Sequence, residues 1–407
     1  MDSPSSQKHN LTAIKWLTYL MFLMFAMTTD SVGLIIPEVI EEFKLSMTAA
    51  GAFHYANMIA IALAGIFLGY LADRLGRKKT IILGLILFAL NSYLFIVGNN
   101  FMFFIMLLVI SGAAIGIFKT GALALVGDIS RSTSEHTATM NTVEGFFGVG
   151  AIIGPAIVTW LLGGGFSWKW IYIIAGTICV LLIATAMLVK YPKTVKSMDE
   201  PIDLKRTMGM MKNLYALGFS FGIFLYVAAE CAIYVWMPTL FEGYSGSFTF
   251  IVAYATSIFF ILRVIGRFLG AWVLARFNWT SVMALFSLSI FICFIGSMIG
   301  GLSYGIWLLP LSGLFMSMIY PTLNSKGISC FPKTEHGAVA GVILFFTCVA
   351  AAAGPWAMGV VSDIFGDPKY GFILASGFAG LLFVGTLLNW MYNPAKKRLA
   401  ELDSTEY

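Results

Sequence analysis

Charge is scarce in this chain. Only 11% of its 407 residues are Asp, Glu, Lys or Arg, while 59% are hydrophobic and the mean hydropathy is +0.87. That balance lies outside the range of a water-soluble domain. Cysteine is sparser still. The five thiols, Cys179, Cys231, Cys293, Cys330 and Cys348, are scattered with no CxxC spacing. This speaks against a disulfide framework or a metal site and leaves them as small buried apolar residues. No nucleotide-binding loop, nucleophile–base–acid set or cluster of metal ligands is present. The expectation is therefore a protein that is neither an enzyme nor an ATP-driven pump and that carries no cofactor or metal. No small-residue cleavage site follows the first apolar run, so that run is expected to stay in the mature chain.

What fills the chain is apolar sequence in lipid-length pieces. Runs of about 20 residues are long enough, at 1.5 Å rise per residue, to cross roughly 30 Å of hydrocarbon. Twelve are expected, near 13–36, 48–72, 80–98, 102–127, 137–162, 169–189, 213–240, 248–274, 280–299, 304–325, 337–362 and 369–391. Segments this long and this apolar are helices, because a lipid-facing strand needs a closed barrel and has an alternating pattern. Basic residues orient them. With both termini in the cytoplasm, 19 of the 25 Lys and Arg fall on the inner side and only Lys44, Lys169 and Lys369 on the outer side. The net charge of +5 is then matched to an anionic inner leaflet and not to nucleic acid.

The chain also repeats itself. At an offset of 200 positions Asp30 meets Glu230, Thr80 meets Thr280, Glu135–His136 meets Glu335–His336, Gly154–Pro155 meets Gly354–Pro355 and Lys169 meets Lys369. Pro37 falls one place from Pro238. The expected organisation is an all-α membrane protein of two pseudo-symmetric six-helix bundles, residues 1–189 and 213–407, joined by a cytoplasmic linker at 190–212. Pro192 and Pro201 keep that linker from forming one continuous helix.

The densest charge lies in "GYLADRLGRKKT", residues 69 to 80, in the loop after the second span. This stretch resembles the signature loop of the major facilitator superfamily, and the span count and paired halves agree. The resemblance implies that Gly69 lets neighbouring helices approach and that Asp73 engages basic groups and a helix dipole. With Arg74, Gly76, Arg77 and Lys78, it would latch the cytoplasmic face in the outward-open state. The second-half counterpart, "GAWVLARFNWT", keeps Gly270 and Arg276 but has Leu274 opposite Asp73, so control is expected to rest on the first loop. "YVAAECAIYVWMPT" at 226 to 239, with "IGRFLG", "MIYPT" and "GPWAMGVVSD", is similar to the fucose and glucose/galactose proton-symporter branch.

An ionisable side chain in the bilayer core is costly and calls for a partner or a function. Six are embedded here: Asp30, Lys119, Glu144, Glu230, Arg263 and Arg267, with His54 as a further polar group. Lys119 and Glu144 lie about 13 and 10 Å from the inner side, so either they pair structurally or the pair opens for substrate. Glu230 and Arg263 can meet in the same way, whereas Arg267 is shallow enough to snorkel. Asp30 and His54 both lie roughly 10 Å below the outer surface, a proton-accepting arrangement if the imidazole is more than a packing residue. Tyr226, Trp236, Asn141 and Asn324 are placed near the expected solute path.

The function expected is proton-coupled symport of a small polar solute, a sugar or an organic acid, by alternating access in the cell inner membrane. Asp30, Glu230, Glu144 and His54 would handle protons. Lys119, Arg263, Asn141, Tyr226, Trp236 and Asn324 would meet the solute. Proton-driven efflux of an amphipathic compound is the alternative. The partners are then solute, protons and lipid, with the chain acting as a monomer.

Overall fold

A computed structural model describes residues 4–68, 71–130, 133–192, 209–274, 276–332 and 335–406. Among them there is no strand. Hydrocarbon offers no water to backbone amides and carbonyls, so long segments close their hydrogen bonds within themselves as helices. Eleven helical stretches are long and apolar enough to cross a membrane. The remaining expected span is present as the helix Arg77–Leu94. It opens with Arg77, Lys78 and Lys79, and those cations dilute its apolar character.

The helices fall into two compact units, Met1–Leu45 with Ala52–Met198, and Ser46–Gly51 with Asp199–Tyr407. The first contains α1 (Pro4–Thr29), α2 (Val32–Phe43), α4 (Ala52–Leu68), α5 (Leu71–Arg74), α6 (Arg77–Leu94), α7 (Phe101–Ile129), α8 (Thr133–Gly163) and α9 (Trp170–Leu188). The short helix α3 (Met47–Ala50) groups with the second unit. There the Asp363 carboxylate accepts the Met47 and Thr48 amides, each at 2.8 Å. The second unit continues with α10 (Leu214–Cys231), a π-helical turn (Ala232–Trp236), α11 (Met237–Phe241), α12 (Thr249–Leu274), α13 (Trp279–Gly300), α14 (Leu302–Met316), α15 (Ile319–Ser329), α16 (His336–Phe365), α17 (Pro368–Tyr392) and α18 (Lys396–Glu406).

Small residues set the packing inside each unit, since close backbone approach replaces the hydrophobic drive that lipid removes. A Cβ on Gly116 would come within 2.6 Å of the Ala64 Cβ and 2.8 Å of the Ile61 carbonyl, so α7 and α4 meet there through glycine. In the second unit a Cβ on Gly313 would meet the Phe259 carbonyl at 2.5 Å, drawing α14 against α12. The repeat is visible in these contacts: Gly154 of α8 sits against Met27 of α1, and its counterpart Gly354 of α16 sits against Ala228 of α10.

The first long helix of each unit is interrupted at the repeat-related acid. α1 ends at Thr29, and Asp30 and Ser31 form a turn before α2 begins at Val32. α10 carries Glu230 as its next-to-last residue and gives way to the π-helical turn at Ala232. A π-turn inserts a residue into the helical ladder and is most often found at functional positions.

Gly84→Ala should lower the melting temperature of the detergent-solubilised protein, with a cost of about 1–3 kcal/mol. Its Cβ would lie 2.7 Å from the Ala114 carbonyl and 2.8 Å from the Phe118 amide, both of them backbone atoms of α7. Gly127→Ala, where a Cβ meets nothing within 4 Å, should leave the melting temperature unchanged.

Candidate functional site

In the second unit a charged cluster forms around Glu230. The residue is only 7% exposed. Its Oε1 receives the Arg263 Nη2 at 2.8 Å and the Tyr226 hydroxyl, which donates at 2.7 Å. Tyr226 is four residues back on α10, one turn away, so helix geometry alone brings its phenol to the carboxylate. Arg263 comes from α12. One carboxylate oxygen thus carries a guanidinium and a phenol, a charge-assisted arrangement inside the bundle. Arg267 follows one turn along α12 and is half-buried.

Tyr226 and Trp236 are each 1% exposed, so both rings are packed inside the unit. The Trp236 indole N–H donates to the Pro355 carbonyl at 3.0 Å, tying the π-helical turn to α16 at its Gly–Pro step. Asn324, on α15, is half-buried.

In the first unit the expected polar residues lie apart in character. Asp30 is half-buried in the turn between α1 and α2, where the Thr29 hydroxyl donates to its Oδ2 at 2.8 Å. His54, near the start of α4, is fully buried at 0% exposure. Lys119 is half-buried on α7, and Glu144 is exposed on α8. Among the described residues these two do not form an ion pair. The Lys119 ammonium lies instead over the Phe147 ring, 5.3 Å from its centroid. α7 and α8 touch only lightly, and the lysine settles on the ring one turn beyond Glu144. The Asn141 side chain lies outside the described residues.

The charged loop between α4 and α6 is built on Gly76, whose φ of 86° is in the left-handed region that side chains disfavour. The next residue, Arg77, is 6% exposed and its Nε meets Asp128 Oδ2 at 2.9 Å. Lys78 donates to the Met187 and Val189 carbonyls at 3.0 and 2.8 Å, the last turn of α9, where a cation suits the helix dipole. Arg74 is exposed. Gly69 and the Asp73 side chain lie outside the described residues, as does most of the expected linker, from residue 193 to 208.

A profile of the Major Facilitator Superfamily matches residues 18–355. The chain belongs to that superfamily. It is 25% identical over 392 residues to the L-fucose-proton symporter of Escherichia coli (strain K12), covering 85% of this chain and 86% of the relative. It is 24% identical over 374 residues to multidrug resistance protein 2 of Bacillus subtilis (strain 168), covering 88% and 91%. The fold is shared with the crystal structure of the nucleoside transporter NupG at 16% identity and a TM-score of 0.75, over 94% of this chain and 99% of that one.

This superfamily member is a transporter and not an enzyme, and it is a multi-pass membrane protein. Its all-α fold agrees with the expectation from repeat and span count. The sequence did not single out Asp128 as the partner of Arg77, although an acid at a span end opposite a basic loop is a readable signal. The carbonyl of Pro355 and the ring of Phe147 had no such signal, because backbone acceptors and one phenylalanine among 35 carry no pattern.

Arg263→Gln should destabilise the purified transporter by about 3 kcal/mol, because the Glu230 carboxylate is left buried without its cation. Adding Glu230→Gln should recover at least half of that loss, since the second change removes the stranded charge. Thermal unfolding of the single and double variants in detergent checks this, and strictly additive losses would show that the pair contributes no coupling.

Proposed function

We propose that this transporter takes up a small polar solute, a sugar or an organic acid, together with protons, by alternating access. The observation that carries the reading is the position of Asp30 and Glu230. They are related by the internal repeat, and each sits where the first long helix of its unit loses regular geometry. Interrupted membrane helices are where secondary transporters bind their solutes and coupling ions. A carboxyl at such a break can gain or lose a proton while the local backbone changes, which couples the two events. Glu144 and His54 complete the proton-handling set. Lys119, Arg263, Asn141, Asn324, Tyr226 and Trp236 form the solute-recognition set, the last two through the groups they hold in place. The loop residues Gly69, Asp73, Arg74, Gly76, Arg77 and Lys78 govern the cytoplasmic gate. The protein acts as a monomer in the inner membrane with both termini in the cytoplasm. The symporter relative, which matches over most of the chain, supports uptake.

A second reading has its own support. The multidrug relative covers as much of the chain, and the quinolone resistance protein NorA of Staphylococcus aureus is 31% identical over 180 residues, or 42% of this chain. Under that reading the same carboxyls drive proton-linked efflux of an amphipathic compound.

Proteoliposomes with an imposed pH gradient separate the two. Symport predicts accumulation of solute inside when the lumen is alkaline. Efflux predicts no sugar or carboxylate uptake, and exclusion of an amphipathic dye instead. Asp30→Asn and Glu230→Gln should each reduce gradient-driven accumulation to the equilibrium level while leaving solute exchange across the membrane measurable. Intact accumulation in both variants would place coupling on other residues.

A further inference from the structure

Lys119 is an embedded lysine, and among the described residues no acid pairs with it. It lies nine residues before Asp128 on α7, hence about 13 Å from that end of the helix at helical rise. Four methylenes reach only about half of that distance. Asp128 is engaged by Arg77 at 2.9 Å. Glu144, the acid at matching depth, is exposed and does not pair with it. What the lysine does touch is the Phe147 ring at 5.3 Å, the negative face of an aromatic that attracts a cation without neutralising it. Arg263 in the second unit differs, because Glu230 balances it at 2.8 Å.

The flanks of α7 differ in how closely they are covered. Gly116 turns toward the Ile61 carbonyl and Ala64 of α4, and Gly121 toward the Thr80 and Ile81 side chains of α6, so those flanks are closed. Lys119 lies on the flank that faces α8, where the helices touch lightly.

We propose that Lys119 receives the carboxylate of the transported solute, so that the cargo is an organic anion carrying a carboxylate and not a neutral sugar. An uncompensated cation at this depth is tolerated when it faces water or meets an anion. A single ammonium is a compact point charge suited to one carboxylate. Phosphate sites use the forked donors of arginine or a helix N-terminus, and neither is described beside Lys119. The Phe147 ring fixes the ammonium in the absence of cargo, and the carboxylate supplies the charge that the fold withholds. The inference rests on the transport of a small polar solute proposed above, and it narrows that solute to an acid.

Counterflow in proteoliposomes without a pH gradient tests it, using a hexuronate, a short hydroxycarboxylate and the neutral hexose as probes. Wild type should exchange at least one carboxylate. Lys119→Gln should weaken its apparent affinity on the order of 10- to 100-fold, as loss of a charge-assisted bond requires. Lys119→Arg, which keeps the cation, should retain most of the exchange. The melting temperature of Lys119→Gln without solute should stay level or rise, because removing an unbalanced charge relieves the fold. A structural lysine would show the opposite, a fall in melting temperature, and that result overturns the proposal. So does exchange of the neutral hexose alone, no exchange of any carboxylate, or carboxylate exchange indifferent to Lys119→Gln. If carboxylate exchange depends on Lys119 but uptake ignores an imposed pH gradient, the proton-coupling reading fails and this one stands.

Discussion

The free energy of a charge in hydrocarbon governs this molecule more than any single contact. Because lipid solvates neither ions nor bare backbone, the chain becomes helix almost throughout. Each embedded ionisable group must then find a counter-charge, a hydrogen bond or water. Glu230 finds all of its support within its own unit: a guanidinium from α12 and a phenol from one turn below converge on the same oxygen. Asp30 sits in a turn with a neighbouring threonine hydroxyl on its carboxylate. Lys119 has an aromatic face and, among the described residues, no paired acid. These are three different answers to one cost.

Packing follows the same solvent logic. Where apolar side chains gain nothing by leaving lipid, helices associate through close backbone approach, and glycines mark each such contact. Gly116 against Ile61, Gly313 against Phe259, and the repeat-related pair Gly154 and Gly354 are placed where a methyl group would strike backbone or a neighbouring Cβ. The rigid bundles that result concentrate irregularity elsewhere, in the Asp30–Ser31 turn and the π-helical turn after Glu230. A transporter needs both properties: stiff units, and local backbone able to change.

Symmetry between the halves is close in architecture and loose in chemistry. Asp30 and Glu230 share a place in the repeat, yet one lies in the turn between two helices and the other meets an arginine and a tyrosine. The charged loop of the first half is stapled by Arg77 to Asp128 and by Lys78 to the end of α9. Its second-half counterpart has Leu274 where the first has Asp73. Equivalent positions of the repeat thus carry different residues in different surroundings.

Membership in the superfamily, the helical class and the identity of the embedded charges were all legible in the sequence. Hydropathy period, basic-residue placement and an offset repeat are one-dimensional signals that the bilayer imposes residue by residue. Helical depth was also enough to anticipate that Glu230 and Arg263 meet. It was not enough for Lys119 and Glu144, which share a depth yet do not join. Depth is a coordinate along one axis, whereas pairing depends on how each helix is rotated about its own axis and how closely its neighbour approaches. Those angles are set by which glycines contact which backbones across the unit, a property of the assembled bundle. Only the tertiary structure therefore decided that the Arg263 guanidinium meets an acid while the Lys119 ammonium lies over an aromatic ring.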